Sequence, residues 1–513
     1  MWIRDRSTAG PEQEYFLVDK KYFMERIDLM FAGRTIFGAP APKGQELEDQ
    51  YFGAIKDRVS DYMHDLDIEL WKMGITSKTK HNEVAPAQFE LATIFTTTNI
   101  ATDHNQLVME TMQKVAFRHN LVCLLHEKPY AGINGSGKHN NWSLLTNDGI
   151  NLLEPGNTPS ENLQFLIFLS ALIAAVDRHA DILRATCASA GNDYRLGANE
   201  APPAIISIFM GEELTEILEK ISKGEKISSK DAQYVRVGVD TLPVIPRDNT
   251  DRNRTSPFAF TGNKFEYRMV GSAQSIAGPN VALNTIAAEA LDEIATRLEN
   301  ADNKNTEAQA IIKEIYKKHG RIIFNGNNYS DEWIKEAEKR GLPNVKNSVD
   351  ALKAFSTDKA LKLFEKHDIF THKELHSRYE IYVEHYSKQV NIEALAAIDM
   401  VKKQFIPAAL EYATFLADSV MSFNAVSLTP TIQENLLKKI NILMTSSYKN
   451  LSRLESTLAK TQGINDVVKK AETYRDEVVA VVQLLRKDID SLESIVPRDM
   501  WPVPTYTDLL FKL

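Results

Sequence analysis

Two glutamates near the start of the chain have a spacing that could serve chemistry. Glu12 and Glu14 stand in Gly10-Pro-Glu-Gln-Glu-Tyr-Phe16, which runs into an apolar, β-type sequence. Residues two apart on a strand share one face, so both carboxylates are expected on the same side. Two neighbouring carboxylates repel each other unless a cation lies between them. The pattern fits either a cation site or a solvated strand edge, and by itself it leaves both open.

A second pair of carboxylates, Glu83 and Glu90, is separated by seven positions around Pro86. A regular strand would place these two side chains on opposite faces. Pro86 interrupts the ladder of a strand and permits a kink that could bring both carboxylates to one site. Mg²⁺ and Mn²⁺ prefer oxygen ligands of this kind.

A third segment, Lys264-Phe-Glu-Tyr-Arg268, alternates charged and aromatic residues. Strand geometry places Lys264, Glu266 and Arg268 on one face. The segment is either a charge ladder on the surface or a single metal ligand between two cations.

A glycine-rich segment, Gly132-Ile-Asn-Gly-Ser-Gly-Lys138, fits the first part of a phosphate-binding P-loop. The motif then requires Ser or Thr to hold Mg²⁺, and this chain has His139 there. The segment also lacks the apolar strand that precedes a P-loop, so we do not assign one.

The segment His372-Lys-Glu-Leu-His376 has two histidines at a spacing that could hold zinc on a helix. The zinc-protease motif needs Glu directly after the first His, where this chain has Lys373. We expect a solvated helix face instead.

The rest of the sequence predicts the elements that position these residues. Strand-like runs occupy 14–18 and 83–95, and residues 200–272 are expected to form strands and loops. Apolar residues at helical spacing predict helices at 46–73, 99–126, 160–187, 281–298, 308–319, 392–420 and 432–492. The fold class predicted is α+β, with a catalytic domain over 1–280 and a mostly α-helical C-terminal domain over 281–513.

Composition narrows the class of protein. The 513 residues include 60 Lys and Arg against 69 Asp and Glu, so a net charge of −9 argues against nucleic acid as a main partner. The two cysteines, Cys123 and Cys187, lie in apolar, helix-like runs and give no disulfide framework, which favours a cytoplasmic location. The longest apolar run, 165–176, is too short to cross a membrane.

Taken together and in order, six segments resemble glutamine synthetase, most closely its large type III form. They are Gly10–Glu14, Glu83–Glu90, Asn134-Gly-Ser-Gly-Lys-His139, Asp193-Tyr-Arg195 with Glu200-Ala-Pro202, Asn253-Arg254, and Phe265-Glu-Tyr-Arg268. The resemblance covers about residues 10–275, and the long helical C-terminal region is similar to the type III subgroup. It implies a catalytic domain built on an antiparallel sheet with flanking helices.

The resemblance also implies an activity, the ATP-dependent ligation of ammonia to L-glutamate through γ-glutamyl phosphate, and a role for each matching residue. One Mg²⁺ or Mn²⁺ would be held by Glu14, Glu83 and Glu90, and the second by Glu12, His139 and Glu266. Glutamate would contact Asn134, Gly135, Arg195 and Arg268, and ATP would contact Asn141, Ser143 and Lys264. Glu200 on a mobile flap would take a proton from ammonium, and Arg254 would meet the transferring phosphate.

The resemblance further implies a ring-shaped homo-oligomer, such as a dodecamer, without nucleic acid or membrane as a partner. Family members carry an N-terminal β-grasp domain before the segment at Gly10, which here lies close to the start of the sequence. We therefore expect a chain without that domain. The alternatives are a truncated, inactive or assembly-only fragment, and a related γ-glutamyl-amine ligase.

Overall fold

The computed structural model describes residues 6–198, 201–225, 234–235, 245–246 and 255–513. Over these residues no helix combines the length and apolar character needed to span a bilayer. The strands are β1 (Arg6–Asp19), β2 (Ser77–Asn82), β3 (Gln88–Thr93), β4 (Thr96–Thr97), β5 (Leu121–Leu124), β6 (Gly137–Leu145), β7 (Ile208–Phe209), β8 (Tyr234–Val235), β9 (Ile245–Pro246), β10 (Phe258–Phe260) and β11 (Phe265–Gly271).

The helices before residue 300 are α1 (Lys20–Met24), α2 (Ile27–Ala32), α3 (Asp57–Lys72), α4 (Thr98–Arg118), α5 (Leu163–Thr186), α6 (Ala190–Arg195), α7 (Glu212–Lys223) and α8 (Ala277–Glu299). The later helices are α9 (Lys304–His319), α10 (Asp331–Lys339), α11 (Ser348–Leu352), α12 (Asp358–Lys366), α13 (His372–Met400), α14 (Ile406–Ala425), α15 (Thr431–Gln462), α16 (Val467–Thr473), α17 (Val479–Glu493) and α18 (Tyr506–Phe511). Short 3₁₀ turns lie at Gly320–Ile322, Lys353–Ser356 and Arg498–Met500, and π-helical turns at Val401–Phe405 and Tyr474–Val478.

The main sheet has the order β2-β3-β1-β6-β11-β10-β7, and β4 and β5 also pair with β1. Every pairing is antiparallel except that of β10 with β7, which is parallel. The predicted α+β class, with a sheet followed by a mostly helical region, is therefore confirmed. The predicted antiparallel sheet with flanking helices is also confirmed, and its one parallel pair lies at the β7 edge.

Strand β1 is buried on both faces because successive side chains point to opposite sides. Tyr15 and Leu17 pack into the cluster that contains residues of α3 and α4. Phe16 and Val18 pack into a different cluster, which includes residues of α18. The strand that carries Glu12 and Glu14 is thus fixed from both sides by apolar burial.

Helix α8 covers one face of strand β6. On that face Asn140 Nδ2 donates to Asn280 Oδ1 at 2.9 Å, and Trp142 Nε1 donates to Asn284 Oδ1 at 2.9 Å. A single apolar cluster joins this part of the sheet to the later helices. The domain division at residue 280 stays a prediction.

Three predicted elements differ from the structure. Residues 46–56 are turns and loop, and the helix begins at Asp57, because the chain before it passes through Gly44 and Gly53 in irregular conformation. Leu121–Leu124, predicted as the end of a helix, forms β5 and pairs with β1; Cys123 is therefore in a strand. The region 200–272, expected to be strands and loops, also contains α7.

Candidate active site

The pairing of the central strands brings the candidate ligands side by side. Glu12 lies directly opposite His139, and Glu14 lies opposite Glu90. Glu90 in turn lies opposite His81 on β2. Because directly opposed residues project from the same face, their side chains form one continuous row across β2, β3, β1 and β6.

The first group of ligand atoms comes from β1, β6 and β11. His139 Nδ1 lies 2.9 Å from Glu12 Oε2 and 2.9 Å from Glu266 Oε1. Burial lowers the pKa of His139, but the charge of Glu266 and the hydrogen bonds to both carboxylates outweigh it and raise this pKa well above its usual value. Burial raises the pKa of Glu12, yet the hydrogen bond and charge of His139 lower it on balance. A carboxylate–imidazolium–carboxylate arrangement results.

The second group comes from β2, β3 and the turn between them. His81 Nε2 lies 3.1 Å from Glu90 Oε1, and His81 Nδ1 lies 3.6 Å from Glu83 Oε1. The turn is closed by Glu83 N, which donates to Gln88 O at 2.9 Å, and Ala87 adopts a φ of 63°. The segment around Pro86 therefore folds back and brings Glu83 to the same face as Glu90.

Neighbouring carboxylates and burial shift the pKa values in this second group. Burial, together with the charges of Glu14 and Glu90, raises the pKa of Glu83 to about 8. The hydrogen bond to Glu90 raises the pKa of His81 to about 9. A site that holds several buried carboxylates favours the binding of a positive charge.

His81 is a residue that the sequence reasoning missed. Its ligand atom lies within 4.8 Å of those of Glu83 and Glu90, the distance range of a shared metal ion. The signal was available, because His81 and Glu83 are two positions apart and such residues share a face. Glu14 is not part of this group of three residues. Its Oε2 accepts a hydrogen bond from Gly137 N at 2.5 Å instead.

The glycine-rich segment leads into strand β6 and does not form a P-loop. Lys138 is fully buried on the side of β6 away from His139, and its Nζ donates to Ser272 O at 2.8 Å. Burial lowers the pKa of Lys138 to about 7. An ammonium group held there is not directed toward the carboxylate row.

The loop before β6 is held by side chains from outside it. Asn134 N donates to Gln45 Oε1 at 2.8 Å, and Gln45 Nε2 donates to Asn134 Oδ1 at 2.7 Å. Gly135 O accepts from Gln88 Nε2 at 2.9 Å. A side chain at Gly135 would meet Glu127 O at 2.3 Å, so this position requires glycine.

Arg195 lies beneath this loop and is 3% exposed. Its guanidinium donates to Arg268 O at 3.2 Å, to Val270 O at 3.3 Å and to Asn192 Oδ1 at 3.3 Å. A Cβ on Gly137 would lie 2.1 Å from Arg195 Nη2. The guanidinium therefore lies close to the backbone of β6 at Gly137 and bonds carbonyl oxygens of β11. Arg268 is partly exposed, with its Nε 3.7 Å from Glu266 Oε1.

The residues expected near ATP lie on strand β6 and in the turn before β11. Asn141 Nδ2 donates to Glu12 Oε1 at 2.8 Å and to Gly10 O at 3.1 Å. Ser143 Oγ donates to Asn263 O at 3.0 Å, next to Lys264 in the turn before β11. Asn141 and Ser143 lie on the same face of β6 as His139, because residues two and four positions apart on a strand point to the same side.

Phe95 is a further residue that the sequence reasoning missed. Its side chain is 52% exposed although it is apolar. A Cβ on Gly10 would lie 2.6 Å from Phe95 Cβ, so Gly10 makes room for this residue. Phe95 thus lies beside Gly10, the residue whose carbonyl oxygen accepts a hydrogen bond from Asn141 Nδ2.

The amino-acid sequence of the chain matches a known family. Residues 5–207 match the family model described as "Glutamine synthetase, catalytic domain", and residues 307–424 match "Glutamine synthetase C-terminal domain". A glutamine synthetase from Butyrivibrio fibrisolvens is 47% identical over 519 residues, which cover 99% of this chain and 73% of that protein. The chain belongs to the glutamine synthetase family.

Two further relatives agree with this assignment. The type-3 glutamine synthetase of Dictyostelium discoideum is 43% identical over 518 residues, which cover 98% of this chain and 70% of that protein. A glutamine synthetase of Bacteroides fragilis is 41% identical over 98% of this chain and 71% of that protein. The predicted resemblance to the type III form is confirmed, and the chain is an enzyme of this ligase family with the family's catalytic domain.

In this chain one candidate ligand lies beyond the segment that matches the catalytic-domain model. Glu266 follows residue 207, yet the pairing of β11 with β6 places it opposite Asn141 and beside His139. The predicted Glu200 and Arg254 lie outside the described residues, as do Asn199 and Asn253. His372 and His376 are exposed on α13, as expected of a solvated helix face.

Proposed function

We propose that this chain ligates ammonia to the γ-carboxylate of L-glutamate at the expense of ATP, through γ-glutamyl phosphate. The observation that carries the proposal is the row of carboxylates and imidazoles on one sheet face, in a chain of this family. In the first step a γ-carboxylate oxygen attacks the γ-phosphorus of ATP and ADP leaves. In the second step the nitrogen of ammonia attacks the acyl carbon and phosphate leaves.

The donor atoms of the row fit two divalent cations, Mg²⁺ or Mn²⁺. Carboxylate oxygen with one imidazole nitrogen is a suitable ligand set for these ions. We assign Glu12, His139 and Glu266 to one ion, and Glu83 and Glu90, with Glu14 or His81, to the other. When bound, the ions supply positive charge that offsets the phosphate oxygens and the acceptor carboxylate.

The loop at Asn134 and Gly135, with Arg195 and Arg268, is our candidate for binding glutamate. Guanidinium groups bind carboxylates through two parallel hydrogen bonds. Arg195 contacts backbone carbonyls in the present conformation, so a substrate carboxylate would have to exchange for some of these contacts. Gly135 supports the assignment because its missing side chain lets the loop pack directly against Arg195, whose Cγ would lie 3.0 Å from a Cβ at this position.

The nucleotide is assigned to the end of the sheet that holds Asn141, Ser143 and Lys264. Phe95 supports this placement, since an exposed aromatic ring offers a stacking surface for a base. Phosphoryl transfer needs positioning and charge neutralisation more than covalent chemistry by the protein. The triphosphate would then extend from this end toward the carboxylate row.

Two residues outside the described part of the chain complete the assignment. Arg254 would neutralise charge on the transferring phosphoryl group. Glu200 would remove a proton from ammonium and help to cover the intermediate. An acyl phosphate hydrolyses readily in water, so excluding water from it raises the yield of glutamine.

The proposal also includes the division into two regions, the oligomeric state and the cellular compartment. A catalytic region over 1–280 and a helical region over 281–513 are supported by the elements after β11, which are all helical among the described residues. A ring-shaped homo-oligomer is proposed from the resemblance to the family, and exposed apolar side chains such as Trp71, 55% exposed, and Phe415, 63% exposed, are candidates for contacts between subunits. The unpaired cysteines Cys123 and Cys187 are both buried and are consistent with a reducing cytoplasm.

Formation of glutamine by the purified chain tests the proposal. We expect product that depends on glutamate, ammonium, ATP and Mg²⁺ together. Glu266→Gln should lower the rate at least about 100-fold, the scale of one lost electrostatic contribution. Glu380→Gln, on the exposed face of α13, is the matched control and should keep the wild-type rate. A wild-type chain without product, or a Glu266→Gln chain with full activity, contradicts the proposal.

A further inference from the structure

Helix α18 meets the glycine-rich loop through Tyr506, its first residue, although the two are far apart in sequence. The Tyr506 side chain is 2% exposed. Its ring packs edge-on against Tyr130, with centroids 5.5 Å apart, and Tyr130 packs in the same manner against Phe16 of β1 at 5.3 Å. The helical end of the chain is thereby joined through aromatic rings to the strand that carries Glu12.

The hydroxyl of Tyr506 is fully engaged, and its proton can be assigned. Thr35 Oγ1 donates its only proton to Pro129 O at 2.8 Å. Tyr506 must therefore donate to Thr35 Oγ1, which lies 2.8 Å away. The Tyr506 oxygen then accepts from Ala131 N at 3.0 Å and from Arg486 Nη2 at 3.0 Å. One donated and two accepted hydrogen bonds saturate this buried hydroxyl.

Ala131 is the point where the loop toward Asn134 begins. On the far side of the loop, Ser136 N donates to Glu127 O at 2.9 Å. In its middle, Asn134 exchanges two hydrogen bonds with Gln45. The bond from Ala131 N to Tyr506 is thus the anchor that the helical C-terminal region supplies to the entry side of the loop.

We propose that Tyr506 is a positioning residue for glutamate binding, which acts by fixing Ala131 and so the course of the loop to Asn134 and Gly135. This inference rests on the proposed function, since it assumes that the loop receives glutamate. Removal of one anchoring hydrogen bond widens the range of loop conformations and lowers the fraction ready to bind. The carboxylate row, held by the sheet, keeps its geometry.

The test is Tyr506→Phe, which removes the hydroxyl and keeps the ring contact with Tyr130. We expect the KM for glutamate to rise about fivefold, the scale of one lost buried hydrogen bond. The kcat and the KM for ATP should stay within about twofold, because the chemistry and the nucleotide end are untouched. Amide hydrogen exchange at Ala131 should become faster.

Two further variants keep the test decisive. Tyr474→Phe deletes the hydroxyl of a buried tyrosine of the helical region, which donates to Asn391 Oδ1 at 2.9 Å, and should leave the KM for glutamate unchanged. Thr35→Val removes the acceptor of the Tyr506 proton and should raise the KM for glutamate in the same direction as Tyr506→Phe. If Tyr506→Phe does not fold, Thr35→Val tests the same inference in its place.

Each outcome decides the inference. A raised KM for glutamate in Tyr506→Phe and Thr35→Val, with faster exchange at Ala131 and a normal Tyr474→Phe, supports it. An active wild-type chain whose KM for glutamate is unchanged in Tyr506→Phe overturns it alone. An equal rise in Tyr474→Phe also overturns it, because the effect would then be general. A wild-type chain that makes no glutamine overturns the proposed function itself.

Discussion

Glu12 and His139 face each other as directly opposed residues of neighbouring antiparallel strands, with Glu12 Oε2 2.9 Å from His139 Nδ1. Glu266 from β11, the next strand, places its Oε1 at the same distance of 2.9 Å from His139 Nδ1. The position of these atoms is set by backbone pairing rather than by flexible loops. A site built in this way stays in place when neighbouring loops move.

The structure predicts a role for His81 in cation binding. Because His81 Nε2 lies 3.1 Å from Glu90 Oε1, we expect His81→Ala to weaken Mn²⁺ binding at one of two sites. A loss of about 10–100-fold is the scale for a ligand or its direct partner. Calorimetric titration with Mn²⁺ measures it, with His64→Ala on the exposed face of α3 as control. Equal affinities in His81→Ala and wild type would exclude this role.

Gly137 is predicted to be required for the position of Arg195. The added methyl of Gly137→Ala would lie 2.1 Å from Arg195 Nη2, so the buried guanidinium would have to move. We expect a loss of stability of about 1–3 kcal/mol and a raised KM for glutamate. Gly278→Ala in α8, whose methyl would meet nothing closer than 3.9 Å, is the control and should be neutral or stabilising. A normal KM for glutamate in Gly137→Ala would argue against the assignment of Arg195 to glutamate.

Stability should depend on pH through Glu493 in α17. Burial raises the pKa of Glu493 from 4.5 to about 7, although its hydrogen bond from Ala39 N opposes this shift. The folded chain then binds more protons than the unfolded chain between these two values, so this group's contribution to stability falls as pH rises through that window. Glu493→Gln mimics the protonated form, and its stability relative to wild type should increase over the same window.

Urea unfolding of both chains at several pH values measures this difference. Glu384→Gln, an exposed position on α13, should unfold in parallel with wild type at every pH. A difference between Glu493→Gln and wild type that does not vary with pH would contradict the raised pKa.

Much of the fold was predictable because its long helices carry apolar residues at helical spacing, as in α5 and α15. The prediction was wrong at Leu121–Leu124, whose apolar run continues a helical pattern. Its partner is Phe16–Asp19 of β1, about a hundred residues earlier, and such non-local pairing overrides local preference. The turn at 46–56 was mistaken for helix because scattered apolar residues matched the spacing.

The candidate site was predictable where charged residues stand next to an apolar strand sequence, as Glu12 and Glu14 do. His81 was missed because its spacing of two positions from Glu83 is a weak signal until the cross-strand pairing of His81 with Glu90 is known. Tyr506 could not be connected to Ala131 from sequence, since only the folded chain brings residues 375 positions apart into contact. The glycine-rich segment helped to identify the family. The conformation of this segment depends on side chains from outside it, which the sequence alone did not indicate.

The number of Mn²⁺ ions bound by the chain in the presence of ATP tests the central assignment most directly. Calorimetric titration of wild type should give two ions per chain. Glu266→Gln and Glu90→Gln should each give one, because they remove ligands from different groups of the row. One ion or none in wild type, or two ions in both variants, would contradict a two-cation ligase site on this face of the sheet.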